Sequence, residues 1–374
     1  MIYLDSAATT FVKPPEVLQA VEEAFRTLGS PGRGGYPAAM AAAETAYACR
    51  RELADLYHMK KAENVVFTLN ATHALNLAIK TLVPPGGRVV ISGYEHNAVT
   101  RPLEALHAQV QVARAPLFCP EQVTEAFERL IRPGLDAVIC SHVSNVFGFI
   151  QPVEAVAAIC RDRGVPFIVD DAQGAGVLPL DMEALGAAFI AMPGHKGLYG
   201  PQGTGVLLCG ESVLPRPLLE GGTGSLSLRQ EMPDFLPDRL EAGTHNMPGI
   251  AGLLAGVRFL KREGMGAICQ RERLLAQLAA EGLGRLPGVR VYAKPGLHAQ
   301  TGVLSFTVEG RDPEEIGSQL ADRGVAVRAG FHCAPLAHES AGTLETGTIR
   351  ISFSESSKEG DVRHFLQALQ GCFV

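Results

Sequence analysis

The sequence predicts an α/β protein, a mostly parallel sheet with helices on both faces and a smaller α+β unit beside it. Three observations carry this expectation. Between Val65 and Leu208, short β-branched and apolar runs alternate with stretches of helical spacing, as strands buried on both faces do. Polar residues capable of chemistry follow those runs, where an open α/β sheet keeps its ligands. Beyond residue 283, shorter strands and helices are mixed.

Tyr3, Leu4 and Asp5 read as a short extended piece and a turn. Residues 14–28 have helical spacing and begin with prolines, which fit a first turn whose N–H groups lack intrahelical partners. Residues 30–35 form a loop. Residues 37–57 read as an alanine-rich helix with Arg50, Arg51, Glu52 and Asp55 on its wet side. Strands are expected at 65–67, 89–91, 137–139, 167–169, 188–190 and 206–208, with helices at 71–82 and 153–163. Helices at 249–262 and 266–283 follow, the first placed to link domains. Then come strands at 289–292 and 302–308, a helix at 313–323, strands at 325–328 and 348–353, and a helix at 358–369. The chain has no internal repeat.

With 374 residues, 47% of them hydrophobic and 19% charged, the chain can bury a large core, and its length fits about two domains. A net charge of -6 gives no basic footprint, which argues against nucleic acid or an anionic membrane as partner. The start lacks a basic region followed by an apolar one, and no run approaches the ~20 apolar residues of a membrane span, so a cytoplasmic protein is expected. Eight cysteines are scattered without a C-x-x-C, against a disulfide framework or zinc ribbon. Most read as core thiols.

The chemistry concentrates at strand ends. An apolar run delivers Lys196 into a loop of Gly, Pro and small residues, where desolvation lowers an amine's pKa and favours a Schiff base with a carbonyl. Asp170 stands just past a buried run, placed to pair a protonated ring nitrogen; Asp171 beside it reads as an ordinary cap or metal-binding carboxylate. Asn70, Ala71 and Thr72 open a helix, whose positive end suits a phosphate. His96 follows another run, where an imidazole can lie over a planar cofactor and shuttle protons. Cys333, flanked by His332 and preceded by Arg328 and Gly330, sits in a polar, cationic turn that favours a thiolate. That turn also admits a metal site from His332, Cys333 and His338, or a thiol hydrolase using Cys333 and His332. Arg350 is a cation on a strand-like run, either a grip for a carboxylate or a surface strand arginine.

With these residues in hand, the chain resembles the cysteine desulfurases of the class V aminotransferase family, fold type I enzymes that use pyridoxal 5'-phosphate (PLP). The likeness runs from the segment Tyr3 to Thr10 nearly to the last helix, through the motifs around His195–Lys196, Asp170–Gln173 and Arg328–Cys333. It implies a large domain, 13–258, with a mostly parallel seven-stranded sheet, and a smaller α+β domain, 1–12 with 259–374, carrying the cysteine loop. It implies that Lys196 holds PLP, that Asp170 pairs the ring nitrogen, that Gln173 meets the ring oxygen and that His96 stacks on the ring. Ala71, Thr72 and His195 would hold the phosphate, and Thr244 would reach the phosphate of a neighbouring subunit in a homodimer. Asn145 and Arg350 would bind the substrate carboxylate, with Arg328 also in the site.

The implied reaction converts L-cysteine to L-alanine. Lys196 moves the α-proton, and Cys333 takes the sulfur as a persulfide for an acceptor protein. A selenocysteine lyase acting on L-selenocysteine, or another PLP-dependent β-eliminating enzyme, is the alternative; a cofactor-free scaffold on the same fold is the reading from another class. Three positions depart from the family pattern: Pro193 stands where a hydroxyl residue is common, Phe331 where a second histidine is, and Asp171 where a glycine is. The compact stretch from Cys333 to Arg350 resembles the short-loop members.

Overall fold

The computed structural model describes residues 1–32 and 34–373. The loop expected at 30–35 includes Arg33, which lies outside the described residues. Two helices, α1 (Pro15–Thr27) and α2 (Pro37–Leu56), begin at prolines in the first turn and precede the main sheet. Arg50 corrects the wet-side reading of α2. It is buried, bonded to Glu241 at 2.7 and 2.6 Å and set 4.2 Å over the Phe67 ring. Helical spacing alone did not reveal that this face meets a second element carrying a carboxylate.

The main sheet has seven strands: β2 (Val65–Thr68), β3 (Arg88–Ser92), β4 (Gln109–Ala113), β5 (Ala137–Ser141), β6 (Phe167–Asp170), β7 (Phe189–Pro193) and β8 (Gly205–Cys209). Their spatial order is β2-β8-β7-β6-β5-β3-β4. From β4 through β7 every pairing is parallel, and β8 alone runs antiparallel to its neighbours. Side chains alternate between two cores, as a sheet buried on both faces requires. Val90, Val138, Val169, Ile190 and Leu208 go to one core; Ile91, Ile139, Ile168, Ala191 and Leu207 go to the other. Helices α3 (Ala71–Leu82) and α4 (Asn97–Ala105) cover the second face. The first face is packed by α2, α5 (Pro120–Leu130), α6 (Val153–Asp162) and α8 (Met247–Glu263), with the four-residue α7 (Met182–Leu185) also contributing there.

Behind α8 a third core joins Leu4, helix α9 (Met265–Leu283) and a four-stranded antiparallel sheet. Two of its strands are β9 (Val289–Tyr292) and β10 (Val303–Val308). The expected strand at 325–328 is two strands in different sheets. After helix α10 (Pro313–Asp322), β11 (Val325–Ala326) runs parallel to β1 (Ile2–Tyr3). The chain then turns at Val327, and β12 (Arg328–Gly330) pairs with β13 (Thr348–Ser352). Helix α11 (Pro335–Ala341) lies between β12 and β13, and α12 (Glu359–Gln370) closes this third core. No helix among the described residues is long and apolar enough to cross a membrane.

Candidate active site

The carboxyl ends of β3, β5, β6 and β7 converge on one cleft. Ala71, Thr72, His96, Asn145, Asp170, Gln173, Pro193, His195 and Lys196 all line it, which is where the sequence placed them. Lys196 arrives from β7 through a turn with no room for side chains. A Cβ on Gly197 would lie 2.3 Å from the Ala175 carbonyl oxygen. Burial is the main force holding the Lys196 amine down, to about 8; the Arg350 charge adds to it and Asp170 opposes it. No carboxylate among the described residues pairs with this amine. It is therefore partly neutral near pH 7 and free to attack a carbonyl.

The turn is anchored through one atom. The His195 carbonyl oxygen accepts from Thr10 N (3.2 Å), Thr10 Oγ1 (3.1 Å), Thr9 Oγ1 (3.2 Å) and Lys13 Nζ (2.9 Å). The N-terminal segment thus acts as a latch on the residue before Lys196. Sequence reasoning marked Thr9 and Thr10 only as part of a motif and missed Lys13, whose spacing from a helix start is unremarkable. The His195 ring shares a hydrogen bond with Thr9 Oγ1 at 3.0 Å, and burial pushes it down to about 4 with help from Lys196 and Lys13.

Asp170 ends β6, only 3% exposed. Burial raises its carboxyl to about 6, while the Ala172 N–H at 3.0 Å and the Lys196 charge pull it back, so it is mostly anionic at neutral pH. A buried anion beside an amine suits a cationic ring nitrogen. His96 caps α4, its Nδ1 accepting from Ala98 N at 3.0 Å, which assigns the proton of the neutral ring to Nε2. Burial first, and then the Lys196 and Arg328 charges, lower His96 to about 4. Asn70 caps α3 by accepting from His73 N at 2.9 Å, leaving the Ala71 and Thr72 N–H groups at the cleft. Gln173 lines the cleft and donates from Nε2 to the Ala7 carbonyl at 2.9 Å.

Asp171 is neither a cap nor a metal ligand. It is fully buried, bonded to His142 Nδ1 at 2.8 Å and to the Tyr57 hydroxyl at 2.9 Å. A carboxylate adjacent to Asp170 points to the opposite side of the chain, and that side is a polar knot inside the protein.

Cys333 is the one exposed cysteine among the described residues. It occupies a tight turn closed by Ala334 N to Phe331 O at 3.0 Å, with φ of +50° at His332 and +56° at Cys333. Two successive left-handed non-glycine residues are strained, and the surroundings must hold them there. Asn145 Nδ2 donates to the His332 carbonyl at 2.8 Å, and Asn97 N donates to the Cys333 carbonyl at 2.8 Å. The turn is thereby fastened to the residues that flank His96 and line the cleft.

His332 corrects the expectation of a cationic partner for the thiol. It is buried, with Nε2 3.1 Å from both the carbonyl and hydroxyl oxygens of Thr348. Burial and the Arg350 charge hold it far below the usual histidine range, so it is neutral. It makes no hydrogen bond to Cys333, which removes the base a Cys–His hydrolase needs. His338 bonds Thr343 at 2.8 Å, and among the described residues no cluster of three or more His, Cys, Asp or Glu is disposed to hold a metal.

Arg350 is 2% exposed, which overturns the surface alternative. It donates to Asp5 Oδ1 at 2.5 Å and to the Asn145 carbonyl at 2.9 Å, and its Nε has no partner among the described residues. Arg328 stands directly opposite it in the β12–β13 register and is exposed. Facing like charges are unfavourable in a sheet, and an anion between them would relieve that. Thr244 lies elsewhere, on the wall of a second cleft with Leu69, His73 and Glu241, and does not reach the first cleft of its own chain.

Fold and site together define an α/β protein that presents a desolvated lysine and a buried aspartate at the mouth of a parallel sheet. The chain belongs to the aminotransferase class-V family, whose model matches residues 2–365. It is 32% identical over 366 residues to a probable cysteine desulfurase of Methanothermobacter thermautotrophicus, covering 94% of this chain and 89% of that one. It is 31% identical to a probable cysteine desulfurase of Pyrococcus abyssi, over 99% and 94% of the two chains. Among solved structures, the apo cysteine desulfurase of Thermococcus onnurineus superposes with a TM-score of 0.90 at 32% identity, covering 99% of this chain and 94% of that one. The Escherichia coli cysteine desulfurase CsdA gives 0.86 at 28% identity, over 100% and 94%.

Proposed function

We propose that the protein is a PLP-dependent cysteine desulfurase that takes sulfur from L-cysteine onto Cys333, releases L-alanine and passes the sulfur to an acceptor protein. One observation carries the reading: the turn bearing the exposed thiol is tied, through Asn97 and Asn145, to the rim of the cleft that holds the desolvated Lys196.

The residues fit the cofactor. Lys196 offers the amine, Asp170 an anion for the ring nitrogen, Gln173 an amide for the ring oxygen, and Ala71, Thr72 and His195 a phosphate cradle, with Pro193 contributing no hydroxyl. When bound, PLP supplies a carbonyl for amines and an electron sink for the carbon next to the substrate nitrogen. Lys196 would hold the cofactor and, as a free amine, take the α-proton. His96 would lie against the ring, with Nε2 free to handle a proton. Arg350, Asn145 and Arg328 orient the substrate carboxylate. Cys333 as thiolate attacks the substrate sulfur, which leaves as a persulfide on Cys333 while the remaining carbon skeleton is protonated to alanine.

The same reading proposes a homodimer in which Thr244 completes the neighbouring site, a division into 13–258 and 1–12 with 259–374, and a cytoplasmic setting. Borohydride reduction of PLP-loaded protein, followed by peptide mapping, tests the cofactor assignment. A pyridoxyl group on Lys196 is expected; a label on another lysine, or a protein that stays colourless with PLP, contradicts it. Parallel assays with L-cysteine and L-selenocysteine in the parent and the Cys333→Ala variant separate desulfurase from lyase: loss of sulfide and alanine from cysteine is expected, and selenide release that persists in the variant while sulfide release stops would favour the lyase.

A further inference from the structure

Glu95, next to His96, is a fully buried acid with no place in the chemistry above. Its Oε1 accepts from the Ser92 hydroxyl, from Ser141 N at 2.8 Å and from the Ser141 hydroxyl at 3.3 Å. No donor among the described residues reaches Oε2. Gln151, 1% exposed, shares both serines: its Nε2 donates to Ser92 Oγ at 3.2 Å, Ser141 O at 2.7 Å and Ser141 Oγ at 3.0 Å. Its Oε1 also lacks a donor. Flipping the Gln151 amide would set its oxygen against the Ser141 carbonyl, so reorientation does not repair the deficit. Two bare acceptors in one buried knot are costly, and a single proton on the carboxyl turns one of them into a donor.

The knot's place matters. Ser141 stands opposite Asp170 in the β5–β6 register, one strand away from the anion assigned to the ring nitrogen. Two charged carboxylates on neighbouring strands of a dry interior repel each other. We propose that Glu95 is kept as the neutral acid and that it is a positioning residue: it braces the ends of β3 and β5 for His96 and Asn145 while keeping a second negative charge away from Asp170. The groups facing it are Asp170 from β6 and Cys140 from β5, the latter a thiol that burial keeps protonated. Burial pushes the Glu95 carboxyl up to about 8 and Asp170 adds to this, while the Ser92 and Ser141 hydrogen bonds pull it back. The benefit to Asp170 rests on the PLP reading; the proton itself does not.

Glutamine copies a protonated glutamate, with N–H where O–H stood. Apo protein and its Glu95→Gln and Glu95→Ala variants are compared by infrared difference spectra and by thermal midpoints from pH 5 to pH 9. A protonated-carboxyl stretch present at pH 7 in the parent and absent in Glu95→Gln is expected. At pH 5 the parent and Glu95→Gln should melt within ~2 °C of each other, and Glu95→Ala several degrees lower. Because the folded carboxyl holds its proton above the ordinary value of 4.5, the parent loses stability as pH rises from there to about 8. Glu95→Gln should therefore gain on it across that window.

A missing infrared difference, parallel melting curves, or a Glu95→Gln variant as damaged as Glu95→Ala at pH 5 would overturn the proposal. PLP affinity is measured in the same variants, with less than ~3-fold change expected for Glu95→Gln and a ~10-fold or greater loss for Glu95→Ala. If the proton signals hold while PLP fails to bind the parent, the cofactor reading fails and the neutral knot stands.

Discussion

The amine and the thiol are held in opposite ways. Lys196 hangs from the end of a strand inside the main sheet, and its carrier residue is latched by four donors on one carbonyl oxygen. Cys333 rides a two-residue left-handed turn, exposed and pinned by two hydrogen bonds to its backbone. The first arrangement fixes a nucleophile in a dry place where burial tunes its charge. The second leaves a nucleophile reachable from outside, as the proposed delivery of sulfur to an acceptor requires. On the proposed function, rigidity serves the cofactor and accessibility serves the transfer.

The contrast is broken most severely at the amine. Lys196→Ala should abolish the visible absorption of PLP-loaded protein and lower alanine production from L-cysteine by at least ~10⁴-fold, as spectra and amino-acid analysis would show. Cys333→Ala should leave the visible band intact and lower sulfur transfer by ~10³-fold; loss of the band would mean that the turn supports the cofactor rather than the sulfur. Asp170→Asn should cost ~10²-fold in turnover and weaken PLP retention, measured by dialysis.

A pH profile sharpens the comparison. PLP incorporation into apo protein should speed up as pH rises toward about 8 and then level off, because the Lys196 amine is cationic below that value and neutral above it. Arg350→Met should move the midpoint upward, since the Arg350 charge helps hold the amine down. The smallest effect concerns the turn. Cys333→Gly should melt higher than Cys333→Ala by about 1 kcal/mol of stability, since glycine adopts φ of +56° without steric cost. Equal stability would show that the turn stores no strain.

The α/β architecture was legible because strands buried on both faces are almost continuously apolar, so β3, β5, β6, β7 and β8 announce themselves. The edge strand β4, Gln109–Ala113, is mostly exposed and mixes glutamine with valine, and it escaped notice. Helix α4 carries Pro102 in its interior, which hid its spacing. In the site, Lys196, Asp170 and His96 were readable as polar groups ending apolar runs, and the role of Asn145 came only from the family resemblance. The pairing of Arg350 with Asp5, the latch from Lys13 and the Glu95–Gln151 knot join residues far apart in the chain, and no local pattern encodes them. His332 was misread because adjacency to Cys333 in sequence says nothing about direction; in a left-handed turn one side chain went inward and the other outward.

The most direct test is to incubate PLP-loaded protein with L-cysteine in the absence of any acceptor, quench by alkylation and map the peptides by mass. The account predicts one extra sulfur on Cys333 together with released alanine. Extra sulfur on any other cysteine, or alanine formed while Cys333 stays unmodified, would contradict it.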